Sequence, residues 1–143
     1  MLFQCYLRRG MVYVPTTAKR GTSVYTAIEP VAVVSAADTA GLTRAFRDAI
    51  ARKNVAVPPI KGKRPPPVLL KYAGVQSWSA FAREASTWNI EENDGIYQIV
   101  GHRMHPKGYW VEDAGQKTKF PPGTRVDAVI ERMITILQQA WNT

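Results

Sequence analysis

Between Val57 and Val68 the chain runs Pro58-Pro59-Ile60-Lys61-Gly62-Lys63-Arg64-Pro65-Pro66-Pro67, which places five of its ten prolines in one short tract. Proline lacks a backbone N–H and fixes φ, so neither a helix interior nor a central strand passes through this tract. The fold must be assembled from two arms, 1–57 and 68–143, joined by a stiff segment. In a chain of 143 residues neither arm is comfortably large enough for a core of its own. An exposed loop at 58–67 inside one domain spanning 1–143 is therefore expected, rather than a linker between two domains. Its polyproline geometry holds Lys61, Lys63 and Arg64 in solvent, as a partner contact or as a spacer with incidental charge.

The first arm reads as strands followed by a helix. Phe3 to Leu7 and Met11 to Val14 are rich in aromatic and branched residues and flank Arg8-Arg9-Gly10, where Gly10 suits the positive φ of a short hairpin turn. Lys19-Arg20-Gly21-Thr22 turns the chain again into Val24 to Ile28, and Val31 to Val34 follows, giving a meander of three or four strands. Asp38 then caps a helix whose Leu42, Ala45, Phe46, Ala49 and Ile50 share one face, with Asn54 as its stop.

The second arm reads strand, helix, strands, helix. Val68 to Tyr72 is expected as a strand broken by Gly74. Ser77 caps a helix carrying Trp78, Phe81, Ala82 and Ala85. Thr87 to Glu91 and Ile96 to Val100 flank the hairpin turn Asn93-Asp94-Gly95, and Tyr109 to Val111 is a further strand. After Phe120-Pro121-Pro122-Gly123, Thr124 caps a helix with Asp127 in its first turn and a stripe of Val126, Val129, Ile130, Met133 and Leu137. The resulting expectation is an α+β fold: a mostly antiparallel twisted sheet of six or seven strands with three helices packed on it.

Cys5 is the single cysteine, so this core must form without an internal disulfide. It sits among apolar strand residues and reads as a small core group rather than a nucleophile. The opening residues lack the basic lead and small-residue cleavage site of a signal peptide, and no apolar run approaches the roughly 18 residues of a membrane span. A cytoplasmic location without membrane contact is expected.

A search for chemistry finds little. His102 and His105 point to opposite faces of a strand and have no cysteine or carboxylate companions at zinc-site spacing, so no metal or cofactor is expected. No nucleophile-elbow, phosphate-loop, dinucleotide or zinc-protease pattern occurs, and catalytic residues are not expected.

Charge is more telling. Residues 1–67 hold eleven Lys and Arg against Glu29, Asp38 and Asp48, which accounts for the whole net charge of +8, whereas 68–143 is balanced. Such asymmetry fits an acidic partner, and it also serves solubility. Arg8, Arg9, Lys19, Arg20, Lys61, Lys63 and Arg64 are the basic candidates for partner contact, and Glu91, Glu92 and Asp94 form an acidic cluster near a turn. Strand aromatics such as Tyr6, Tyr13 and Tyr25 beside those cations allow an alternative in which the first arm binds RNA or DNA.

The segments Lys71 to Phe81, Ser86 to Ile90, Ile96 to Val100 and Phe120 to Thr124 resemble immunity proteins of bacterial contact-dependent growth inhibition (polymorphic toxin) systems, a likeness covering residues 68–137. The resemblance implies a cytoplasmic protein that neutralises a cognate toxin domain by covering its active site or an adjacent surface. It carries no residue roles with it. A neutraliser of a nuclease is expected to be acidic, so in this basic chain either the toxin's contact face is acidic or the second arm does the covering. A non-enzymatic protein-binding module is the leading expectation, with nucleic-acid binding second.

Overall fold

Seven strands and four helices follow one another in the computed structural model, which describes residues 1–143: β1 Leu2–Arg8, β2 Met11–Arg20, β3 Val24–Ser35, α1 Thr39–Ala51, β4 Ala56–Val57, α2 Leu69–Ala73, α3 Trp78–Ala82, β5 Ala85–Asn93, β6 Ile96–Met104, β7 Trp110–Lys119 and α4 Val126–Trp141. One sheet in the order β3-β2-β1-β5-β6-β7 takes strands from both arms. All of these neighbours pair antiparallel, and the short β4 adds a parallel step beside the end of β2. The fold is α+β, as the patterning of the sequence predicts. No helix is long and apolar enough to cross a membrane.

Alternation along β1 divides the core. Phe3, Cys5 and Leu7 face α1 and α4 together with Val12, Val14, Trp88, Ile90 and Ile99, and the two helices return Leu42, Phe46, Ile130, Met133 and Leu137 to this layer. Asp38 caps α1 by accepting from the Gly41 N–H at 2.9 Å. Tyr6 emerges on the other face and meets Tyr13, Leu69, Leu70 and Phe81 in a smaller cluster beneath α2 and α3. This cluster is aromatic: Phe81 stacks on Trp78 at 5.1 Å, and Tyr6 meets both rings edge-on.

Several expected elements change on folding. The segment expected as a strand at Val68 to Tyr72 is the helix α2, which buries Leu69 and Leu70 against the tyrosines and ends on Gly74 in the left-handed conformation. The runs around Val24 and Val31 form one long strand, β3, with a register shift opposite Pro15/Thr16 that leaves Glu29 and Pro30 outside the pairing. Thr124 does not cap α4, because its hydroxyl donates to the Pro121 carbonyl at 2.7 Å and the helix starts after Arg125. β7 extends far beyond Val111, to Lys119.

Asn54, just past α1, joins the first arm's strands. Its side-chain amide donates to the carbonyls of Leu2 and Thr17 at 2.7 and 2.9 Å, and its Oδ1 accepts the Leu2 N–H at 2.9 Å. This places β4 next to the end of β2, where the Lys19 N–H donates to the Val55 carbonyl. The proline loop leaves from that corner of the sheet.

Candidate partner-binding interface

The antiparallel order decides which charged residues share a surface. β1 starts where β2 and β5 end: Leu2 lies opposite Glu91, while the Asn54 amide ties Leu2 to Thr17. Lys19 and Arg20 of β2 and Glu91, Glu92 and Asp94 of the β5–β6 hairpin therefore stand at the same end of the sheet, with only β1 between their strands. Two strand spacings correspond to about 10 Å. The basic and acidic clusters, remote in sequence, form one bipolar surface.

The basic candidates divide into two groups. Arg8 is buried at the far end of β1, its guanidinium over the Phe81 ring at 5.8 Å and 3.8 Å from the Glu84 carboxylate. It corrects the expectation of a hairpin-tip residue free to reach a partner: the side chain is directed into the aromatic layer. Arg9 is exposed, but both its Nε and Nη2 bind Glu84, the latter at 3.0 Å. That pairing holds the Glu84 carboxyl below its ordinary range, chiefly through the hydrogen bond from Arg9. By contrast, Lys19, Arg20, Lys61, Lys63 and Arg64 take part in no ion pair. Lys19 sits 5.8 Å above the Tyr25 ring, and Arg20 donates to the Pro58 carbonyl, anchoring the loop that carries the other three.

Between that loop and β3 lies a groove of about 710 Å³. Tyr25, Ala27, Pro65, Pro66, Pro67 and Trp78 form much of its wall, and Arg20 and Arg64 border it. α2 and α3 cover the part of the sheet near the β1–β2 turn, so Gln4 lies at the groove's edge. The Gln4 N–H donates to Thr17 Oγ1 at 3.0 Å, but its side-chain Oε1 is shut off from solvent without a hydrogen-bond partner. An unpaired acceptor buried in that position costs free energy.

Glu29 is the one carboxylate on the groove wall, and it is engaged. Lys71 Nζ lies 2.5 Å from its Oε1, and the Tyr72 hydroxyl donates to the same oxygen at 2.6 Å. The hydrogen bond from Lys71 and then that from Tyr72 hold this carboxyl below its ordinary range. The acidic candidates are only partly engaged: Glu91 accepts from Gln98 at 2.9 Å, Glu92 accepts the Gly95 N–H at 3.1 Å, and Asp94 is exposed in the turn with φ 53°.

The aromatics named for nucleic-acid stacking are placed elsewhere. Tyr6 and Tyr13 are buried under α2 and α3, with Tyr6 reaching the groove wall from beneath, and Tyr25 borders the groove half-exposed. His102 and His105 sit at the opposite end of β6, where His105 stacks on Tyr109 at 4.6 Å. Gln4 and Asn54 were invisible as site residues in the sequence, because their importance depends on a groove edge and a sheet gap created by folding.

No family model matches the chain, and no curated protein matches it in sequence. Two solved structures are similar over nearly its whole length. One is a protein of unknown function from Neisseria meningitidis, with a TM-score of 0.67 at 11% identity, covering 97% of this chain and 93% of that one. The other is a chain of the CdiA-CT/CdiI toxin and immunity complex from Yersinia pseudotuberculosis, with a TM-score of 0.62 at 11% identity, covering 97% of this chain and 95% of that one. What is shared at such identity is the fold.

Proposed function

We propose that this chain is a protein-binding module of the immunity type, which neutralises a cognate toxin domain of a bacterial contact-dependent growth inhibition system by covering its surface, without catalysing a reaction. The observation that carries the reading is the bipolar end of the sheet, where five unpaired cations face solvent beside three carboxylates. Charges of both signs arranged on a rigid sheet end steer and select a protein partner of complementary pattern. A uniformly charged polyanion such as nucleic acid would meet Glu91, Glu92 and Asp94 at the same contact. The likeness in fold to a chain of a toxin and immunity complex supports the same reading. The protein would act in the cytoplasm, at the toxin's place of action.

The test is to look for a large secreted protein with a variable C-terminal domain encoded immediately upstream and to co-express that domain with this chain. The intact chain is expected to restore growth and to co-elute with the toxin domain in size-exclusion chromatography. A chain with Lys61, Lys63 and Arg64 changed to Glu is expected to lose both properties while keeping its fold. Failure of the unaltered chain to bind or protect would overturn the proposal.

A further inference from the structure

We propose that the groove between β3 and the proline loop receives an extended acidic segment of the protein partner, with its carboxylates between Arg20 and Arg64. The inference rests on the protein-binding reading above and adds where, and by what chemistry, the partner is held.

Two features define the occupant. The first is charge: Arg20 and Arg64 border the groove without ion-pair partners, Lys19, Lys61 and Lys63 stand close by in the fold, and the only carboxylate on the wall, Glu29, is already engaged by Lys71 and Tyr72. The unbalanced charge is positive, so the complement is anionic. The second is shape. Pro65, Pro66 and Pro67 make a wall with little conformational freedom to lose on binding, and the volume of about 710 Å³ lies in the range of sites that enclose a ligand.

A single-stranded nucleic acid is the competing anion, and the aromatic geometry disfavours it. Stacking requires a free ring face. Trp78, the one tryptophan lining the groove, lies stacked on Phe81 at 5.1 Å with 22° between planes and packs at steep angles against Tyr6 and Trp110. Lys19 lies over the ring of Tyr25.

The experiment measures fluorescence anisotropy of three labelled probes with the full chain at low salt: an octapeptide of alternating glutamate and valine, the same peptide with lysine for glutamate, and an eight-nucleotide single-stranded RNA. The acidic peptide is expected to bind, the basic one to fail, and the RNA to bind more weakly than the acidic peptide. The double variant R20E/R64E, checked for folding by circular dichroism, is expected to lose at least about tenfold in affinity for the acidic peptide. Equal binding of the two peptides, binding of RNA alone, or unchanged affinity in R20E/R64E would each overturn the inference. Should the acidic peptide fail to bind while the toxin domain still forms its complex, this inference falls and the immunity reading stands. Should the peptide bind as expected while no toxin domain is captured, the immunity reading falls and the groove assignment stands.

Discussion

Cys5 and Tyr6 are adjacent on β1 and enter opposite core layers, and burial acts on both in the same direction. Removal from water pushes the Cys5 thiol from its ordinary 9.0 up to about 12 and also raises the Tyr6 phenol. Both groups stay protonated in the folded protein at pH values where the unfolded chain has begun to release its protons. The native state then holds more protons than the unfolded one, so stability falls as pH rises. Their contribution is fully present below about pH 9 and is lost progressively as pH climbs toward the folded values. Each such group adds a slope that grows to at most about 1.4 kcal/mol per pH unit once its unfolded form is ionised. Urea unfolding between pH 8 and 10.5 is expected to show the decline, and Cys5→Ala is expected to make it shallower while lowering stability at every pH. An undiminished slope in that variant would exclude the thiol as a source. The buried thiol was legible in the sequence from its apolar neighbours. The different fates of Arg8 and Arg9 were not: the two are identical in type and adjacent, and only the strand's alternation, combined with the later arrival of Phe81 and Glu84, turns one inward and neutralises the other.

The two helical layers differ in how firmly they hold the sheet. α1 and α4 bury long apolar stripes in the large core, whereas α2 and α3 are single turns that cover Tyr6 and Tyr13 and support the groove wall. Leu137→Ala removes a fully buried side chain from the large core and is expected to cost about 2–5 kcal/mol. Leu70→Ala, at 7% exposure in a thinner layer that can relax, is expected to cost less in urea unfolding. It should nevertheless speed amide exchange in α2 and α3 more than in β1 and β2, since locally loosened elements open before the whole molecule does. Equal effects of the two substitutions would show the layers to be one cooperative unit. These layers also mark what the sequence reveals. The long helices show their period over several turns, and the Asp94-Gly95 turn identifies its hairpin. Val68 to Tyr72 is too short to display a helical repeat and reads as an apolar strand. Glu112 to Lys119 does not alternate because β7 is an edge strand, largely open to solvent. β4 has only two residues and owes its place to the Asn54 hydrogen bonds, which pattern alone does not encode.

For the whole molecule, the net charge of +8 matters less than where it remains unpaired. Glu84 neutralises the arginines at the β1–β2 turn, and Asp127 holds Arg47 at 3.1 Å on the opposite face. Of the basic candidates, Lys19, Arg20, Lys61, Lys63 and Arg64 stay outside any ion pair and stand at the end of the sheet that also carries the acidic hairpin. A partner approaching this end experiences an oriented dipole as well as a net attraction, and salt weakens both over a length of about 10 Å at 0.1 M. Stopped-flow association with the proposed toxin partner is therefore expected to slow by about tenfold or more between about 20 and 300 mM salt, with dissociation changing much less. The triple change of Lys61, Lys63 and Arg64 to Glu should slow association and reverse the sign of any remaining salt dependence arising from the basic side. Changing Glu91 and Asp94 to Gln and Asn tests the other pole. If the partner matches the dipole, this neutralisation slows association although it makes the protein more basic overall; if net positive charge alone drives encounter, it accelerates association. The direction of that single rate change distinguishes a bipolar recognition surface from simple attraction between oppositely charged proteins.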